Sequence, residues 1–136
     1  MTTELFWLTL TVTLTGLFWM PYVANRMLEI GVMGAMRNPT TDAAPKAAWA
    51  ERMIHAHSNA VENLMIFAPL VGIAAIANIS TPTTVAACQL YFFARLAHYL
   101  IYTFGIPFLR TVAFIAGFVA QMTLAAAILG AGLPLQ

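Results

Sequence analysis

The stretch IHAHSNAVENLMIFAPLVGIAAIA, residues 54–77, decides the structural class of this protein. It exceeds the ~20 residues that a helix needs to cross the hydrocarbon core of a bilayer. Its apolar end, from Val71 to Ala77, lacks the strict in/out alternation of a barrel strand. Because a helix or a closed barrel is required to span a membrane, this stretch predicts a transmembrane helix.

The rest of the chain has the same character. Hydrophobic residues make up 61% of the 136 residues and charged residues only 8%, with a mean hydropathy of +0.81. This composition is far from that of a soluble globular domain. Four apolar stretches can form membrane spans: residues 5–24, 54–77, 84–104 and 108–133. We therefore predict an all-α, up-and-down four-helix bundle in the membrane, forming a single domain over residues 1–136.

The first apolar stretch is interpreted as a mature helix rather than a signal peptide. Glu4 stands where a signal peptide has a basic residue, and no small-x-small cleavage site follows Tyr22. Pro21 is expected to kink this helix near the membrane surface, where the freed carbonyl can meet water.

Basic residues are distributed unevenly around the predicted spans. The loop over residues 26–52 contains Arg26, Arg37, Lys46 and Arg52, and Arg110 follows the turn between the third and fourth spans. The opposite side, with the N-terminus and the turn at residues 78–82, carries no basic side chain. The positive-inside rule thus predicts a cytoplasmic loop 26–52, with both termini on the other side.

Polar side chains form a stripe on the second span and another on the third. The first stripe contains His55, Asn59 and Glu62, and the second contains Arg95, His98 and Tyr102. Counted from the turn at Ser80, Glu62 lies as far back along the chain as His98 lies forward. The two stripes are therefore expected at the same depth, with an ion pair between Glu62 and Arg95 that offsets part of the cost of burying both charges.

These stripes predict a functional site. An ionisable side chain within a span costs at least ~2.5–3.5 kcal/mol and usually faces inward with a partner and a role. The alternative is that polar residues only hold helices together, at ~0.6 kcal/mol per contact. That alternative suits Asn59 alone, but packing does not require two aligned stripes with charges of both signs.

Several classes of site are excluded by helix geometry or by the absence of the residues and motifs that they require. His55 and His57 point about 200° apart on a helix, so they cannot share a metal ion. Cys88 is the only cysteine, which excludes an internal disulfide. The chain has no nucleophile elbow, phosphate-binding glycine loop or basic nucleic-acid patch. Catalysis would therefore use a bound cofactor.

Four segments carry a resemblance to a known family: HSNAVENL (57–64), FAPL (67–70), ARLAHYLIY (94–102) and GIPFLR (105–110). With their Asn-x-x-Glu and Arg-x-x-His-x-x-x-Tyr motifs, they resemble the MAPEG family, the membrane-associated proteins in eicosanoid and glutathione metabolism. The resemblance covers nearly the whole chain. It implies a homotrimer of four-helix protomers, with glutathione bound between subunits near the cytoplasmic face and a lipophilic substrate arriving from the bilayer.

The resemblance also implies roles for individual residues. The positions that match the glutathione site are Arg26, His55, Asn59, Glu62, Arg95, His98 and Tyr102. Arg110 would face the sulfur as the catalytic residue. These residue types suit glutathione, which presents two carboxylates, an ammonium and a thiol whose pKa of ~8.5 is lowered by an adjacent cation.

The expected function is that of a membrane-bound glutathione transferase or peroxidase. The chain differs from several family members at His55 and Ser58, where they have arginine, and at Phe114, where some have tyrosine, which disfavours a mechanism using a hydroxyl there. One alternative is a non-catalytic lipid-binding protein of the same fold. The other is a proton or ion pathway through Glu62, Arg95 and His98, which is disfavoured because helix four offers little beyond Arg110 and Gln121.

Overall fold

The computed structural model of the protein describes residues 1–40 and 43–132. These residues form helices and connecting turns, without a strand. The helices are α1 (Thr3–Leu17), α2 (Met20–Ala35), α3 (Ala48–Ile76), α4 (Pro82–Phe104) and α5 (Pro107–Gly132). Because only a short turn separates α1 from α2, these two act as the first arm of a bundle completed by α3, α4 and α5. The predicted all-α class is confirmed.

Three helical segments of the described residues are long and apolar enough to cross a membrane: Thr3–Ala35, Ala48–Ile76 and Pro107–Ala131. The third predicted span, residues 84–104, corresponds to α4, which is long enough but more polar. Its polar side chains include Thr84, Arg95, His98 and Thr103, all of which are buried among the other helices. Inward-facing polar groups lower the hydropathy of a helix without exposing those groups to lipid.

The predicted boundaries of the first loop are wrong. Residues 26–35 continue α2, and α3 already begins at Ala48, so the connection is shorter than the predicted 26–52. Glu29 on α2 holds the returning chain, since its carboxylate accepts hydrogen bonds from the backbone N–H groups of Lys46 and Ala47 at 3.1 Å each. Residues 41 and 42 of the predicted loop, and the predicted span end at Leu133, lie outside the described residues.

The break between α1 and α2 is a consequence of Pro21. Proline lacks an N–H group and its ring clashes with the carbonyl four residues earlier, here that of Leu17, the last residue of α1. The carbonyl of the next residue, Phe18, accepts a hydrogen bond from the Tyr99 hydroxyl of α4 at 2.7 Å, and the Phe18 and Tyr99 rings stack with centroids 3.7 Å apart. The break is therefore held against α4 inside the protein.

The start of α1 is fixed by Glu4. This carboxylate is buried and accepts hydrogen bonds from the Thr84 hydroxyl at 2.6 Å and the Ser80 hydroxyl at 3.2 Å. Thr84 also belongs to the capping box that opens α4 with Thr81. The beginning of α1 is thus tied to the turn between α3 and α4, so α1 runs in the same direction as α4.

The interface between α4 and α5 closes around Arg95. This residue is 1% exposed, and its guanidinium donates to the Phe114 carbonyl at 3.1 Å. The same group occupies the space next to Gly117, where an added Cβ would lie 2.8 Å from both Cζ and Nε of Arg95. The missing side chain of Gly117 is therefore what lets the guanidinium lie against α5.

Replacing Thr84 by valine should destabilise the bundle. Thr84→Val keeps the shape of the side chain but leaves the buried Glu4 carboxylate without its shorter hydrogen bond, at a cost of about 1–3 kcal/mol. Thermal unfolding in detergent measures this effect. Thr83→Val is the matched control, because Thr83 is an exposed neighbour on the same turn of α4. Equal unfolding midpoints for the two variants would contradict the role assigned to Glu4.

Replacing Gly117 by alanine should also destabilise the protein, although alanine has a higher helix propensity than glycine. Alanine normally favours a helix by about 0.8–1 kcal/mol over glycine, but overpacking a core costs about 1–3 kcal/mol. Gly72→Ala is the control, since no heavy atom lies within 4 Å of a Cβ added at Gly72. A lower unfolding midpoint is expected only for Gly117→Ala. An equal or higher midpoint in both variants would show that Arg95 moves away freely.

Candidate functional site

A cavity of about 280 Å³ lies among α3, α4 and α5. Its lining consists of Asn59, His98, Tyr102, Arg110, Thr111 and Phe114. Four of these, Asn59, His98, Tyr102 and Arg110, are predicted site residues. Asn59 of the first polar stripe therefore meets His98 and Tyr102 of the second at a common depth, as expected for helices that run antiparallel from the turn at Ser80.

Arg110 provides the positive charge of this cavity. It lies in the first turn of α5, which begins at Pro107, two residues after Gly105, whose φ of 76° is left-handed. Its guanidinium carbon is 4.4 Å from the centroid of the Tyr102 ring. A cation–π contact of this kind contributes about 0.5–2 kcal/mol, depending on how far the pair is desolvated. It holds the charge at the cavity wall.

His98 lies behind Tyr102 on the preceding turn of α4. The imidazole is buried, with its centroid 5.6 Å from the Tyr102 ring and 6.2 Å from the Phe114 ring. The two aromatic neighbours restrict the orientations that the imidazole can adopt. His98 therefore presents a fixed polar group to the cavity.

Arg95 does not line this cavity but orients a residue that does. Its Nη1 donates to the Asn59 side-chain oxygen at 3.2 Å. Because that oxygen is taken, the Asn59 amide nitrogen is the atom left to face the cavity as a donor. Arg95 is also packed against the rings of Tyr91 and Phe114, 5.6 and 5.4 Å from their centroids.

The predicted ion pair between Glu62 and Arg95 is not formed within the described residues. Arg95 is directed towards Asn59 and α5, whereas Glu62 is exposed and accepts a hydrogen bond from the Ser58 hydroxyl at 3.4 Å. Depth was predicted correctly by counting residues. Counting did not predict the direction of each side chain, because Asn59, rather than Glu62, is the residue of the α3 stripe that faces α4.

The remaining predicted site residues lie elsewhere on the protomer. His55 and Glu62 share an exposed stripe of α3 with Glu51 and Ser58. Arg26 lines a different cavity, beside α2. One protomer therefore brings together Asn59, His98, Tyr102 and Arg110, with Arg95 behind Asn59, but it does not bring His55, Glu62 or Arg26 to them.

Sequence reasoning missed Arg52. This residue lines a smaller cavity of about 150 Å³ that shares Tyr102 and Arg110 with the first. Its Nε donates to the Thr103 carbonyl at 2.9 Å, in the last turn of α4, where a cation is favourable. The sequence did contain a signal for Arg52, because Arg52 lies seven residues before Asn59 and hence on the same face of α3. Thr111 and Phe114 were not predicted as lining residues either.

The arrangement suits an anionic or polarisable ligand group. Arg110 and Arg52 supply two guanidinium groups at adjoining cavities, and Asn59 supplies a neutral donor. Phe114 and Tyr102 add aromatic surface for an apolar neighbour. The site therefore combines stabilisation of negative charge with contact to a hydrophobic molecule, two requirements for a reaction between a polar nucleophile and a lipophilic compound.

Comparison with known protein families matches residues 5–130 to the MAPEG family. No curated protein and no solved structure matches the chain. The family match covers nearly the whole sequence, and the apolar helices fit a membrane protein. This chain belongs to the MAPEG family.

Proposed function

We propose that this protein is a membrane-bound, glutathione-dependent transferase or peroxidase. Members of the MAPEG family commonly use glutathione. The observation that carries the proposal is Arg110, held 4.4 Å from the Tyr102 ring at a cavity that Asn59 and His98 also line. A cation fixed at a partly enclosed site is what a thiol needs in order to ionise near neutral pH.

The donor set fits glutathione. Its two carboxylates call for guanidinium groups, and its ammonium calls for a carboxylate. The protomer offers Arg52 at the adjoining cavity for a carboxylate, and Glu62 and His55 on the exposed stripe of α3. When bound, glutathione would supply a thiol that, as a thiolate, attacks a lipophilic electrophile or reduces a lipid hydroperoxide.

Each residue has a distinct role in this proposal. Arg110 stabilises the negative charge on sulfur. Asn59, oriented by Arg95, donates a hydrogen bond into the cavity, while His98 and Tyr102 hold the polar part of the ligand in place. Phe114 forms the apolar side of the cavity, where a lipophilic co-substrate would lie.

The exposed stripe of α3 supports assembly as a homotrimer. Glu62 lies within an apolar helix, where contact with lipid costs several kcal/mol for a charged side chain. A neighbouring subunit would cover Glu62 and His55 and bring its own Arg26 to them. The polar face of α4 is already buried within the protomer, so that α4 can cross the membrane as the third span in chain order. We place the loop between α2 and α3 in the cytoplasm, because the basic residues are concentrated there.

Arg110→Ala should abolish thiolate formation while leaving glutathione binding largely intact. Removing the guanidinium raises the thiol pKa towards its free value of ~8.5. The measurement is a glutathione titration of the detergent-purified protein, following the ultraviolet absorbance of bound thiolate at neutral pH. Arg37→Ala is the matched control, since Arg37 is a basic residue that is far from Arg110 in sequence and lines a different cavity. A thiolate signal that survives in Arg110→Ala would remove Arg110 from the mechanism.

Glu62→Ala should weaken glutathione binding instead. The lost partner of the ligand ammonium is expected to reduce affinity about tenfold, as for a hydrogen bond to a charged group. The thiolate absorbance at saturating glutathione should be unchanged, which separates this variant from Arg110→Ala. Equal and small effects of both substitutions would indicate that these residues serve packing alone.

A non-catalytic lipid-binding protein of the same fold is the second candidate. Large apolar side chains of α5 are exposed, among them Phe108, Ile115 and Phe118, and the cavity wall at Phe114 continues this surface. Such a protein would bind lipophilic compounds without turnover. No saturable glutathione binding at millimolar concentration would favour it over the transferase.

A further inference from the structure

The connection between α4 and α5 determines where Arg110 lies. It consists of Gly105 and Ile106 alone. The backbone N–H of Arg110 donates to the Ile106 carbonyl at 3.2 Å, so the first turn of α5 starts from this connection. The place of the Arg110 guanidinium against Tyr102 therefore depends on how the connection is held.

The Thr103 carbonyl, near the end of α4, lacks the backbone donor that a continuing helix would supply. That donor would be the N–H of residue 107, which is a proline and has none. The two carbonyls before it accept N–H groups from the connection, as in a Schellman motif. The Nε of Arg52 donates to the Thr103 carbonyl instead, at 2.9 Å. A side chain from α3 thus completes the end of α4.

Arg52 also packs directly on the connection. A Cβ added at Gly105 would lie 3.3 Å from both Cζ and Nε of Arg52, which is tighter than an ordinary van der Waals contact. Gly105 has φ 76°, a backbone conformation that glycine adopts without the steric cost of a side chain. Glycine therefore serves two purposes here, the left-handed turn and the close approach of the guanidinium.

The charge of Arg52 is placed beside a second guanidinium without a carboxylate in the lining. The cavity of about 150 Å³ that Arg52 shares with Arg110 contains no acidic side chain among its lining residues. The carbonyl end of a helix carries partial negative charge, which favours a cation there. The end of α4 therefore stabilises Arg52 at a place where Arg110 alone would repel it.

Two arginine contacts tie the first turn of α5 to α3. Arg95 donates both to Asn59 of α3 and to the carbonyl of Phe114, one turn after Arg110. Arg52 belongs to α3 and holds the connection just before α5 begins. The backbone that carries Arg110 is thus held on both sides.

We propose that Arg52 is a positioning residue for Arg110. By bonding the Thr103 carbonyl and packing on Gly105, it ties the connection to α3 and keeps Arg110 against Tyr102 at the cavity. This inference rests on the proposed function, in which Arg110 stabilises the glutathione thiolate. Arg52 then promotes ionisation of the thiol through Arg110, in addition to the carboxylate contact of its outer nitrogens.

The first test needs no glutathione. Amide hydrogen exchange in detergent reports how firmly the backbone from Gly105 to Arg110 is held. In Arg52→Gln, exchange over these residues should be about tenfold faster, as expected for the loss of one hydrogen bond to a charged group. Lys46→Gln is the matched control, because Lys46 is an exposed cation that does not line this cavity. Unchanged exchange in Arg52→Gln, or an equal increase in Lys46→Gln, would overturn the proposal.

The second test is a pH titration of the thiolate absorbance at saturating glutathione. Arg52→Gln should raise the pKa of the bound thiol by about one unit, the lower end of the shift that a nearby opposite charge produces. In the Arg110→Ala background, the same substitution should cause no further shift, because Arg52 acts through Arg110. An equal shift in that background would show that Arg52 acts on the sulfur directly and would remove its positioning role.

Arg52→Lys keeps the measurements decisive if Arg52→Gln folds poorly. Lysine leaves a cation at the end of α4 but lacks the planar group that packs on Gly105, so both readouts should fall between those of the wild type and of Arg52→Gln. Wild-type values in Arg52→Lys would reduce the role of Arg52 to its charge and overturn the proposal. Absence of glutathione binding by the wild-type protein would contradict the proposed function, whereas the exchange rates decide separately whether Arg52 holds the connection.

Discussion

The buried guanidinium of Arg95 is the interaction on which the candidate site depends. Burying a charge costs several kcal/mol, and hydrogen bonds to a charged group return about 1.5–3 kcal/mol each. Arg95 makes two, to Asn59 and to the Phe114 carbonyl, while its Nε has no partner among the described residues. These magnitudes roughly cancel, so Arg95 adds little net stability. Its contribution is geometric, because it joins α3, α4 and α5 at one depth.

That geometry explains which features could be predicted from the sequence. Apolar length predicted the helices, and counting from the turn at Ser80 predicted that the two polar stripes lie at the same depth, because helix rise is nearly constant. The direction of side chains could not be predicted to the same precision. Asn59 and Glu62 lie only about 60° apart on a helical wheel, yet Asn59 bonds Arg95 and Glu62 is exposed. The choice between them depends on Gly117, whose missing Cβ lets Arg95 turn towards α5.

Helix boundaries were less predictable because they depend on contacts distant in sequence. Pro21 correctly indicated a break, but its position at Phe18 is stabilised by the Tyr99 hydroxyl from α4. The early start of α3 accompanies the bonds from Glu29 to the chain just before it. The sequence assigned Arg52 only to the basic residues of the loop, whereas its bond to the Thr103 carbonyl places it beside Tyr102. In each case a polar side chain on one helix satisfies the backbone end of another, which a single-helix pattern does not contain.

The division of polar residues between the inner and outer faces of α3 has a consequence for function. The inner face supplies Asn59, whose orientation is fixed within one protomer. The outer face supplies His55 and Glu62, which are exposed, and within the described residues Glu62 accepts a side-chain hydrogen bond only from Ser58. A ligand that contacts both faces has to lie at the edge of α3 and be enclosed by something beyond the protomer. In the proposed function, the cavity of about 280 Å³ with one wall made of α5 would be the reactive half of the site, and the outer stripe would be the half that a neighbouring subunit completes.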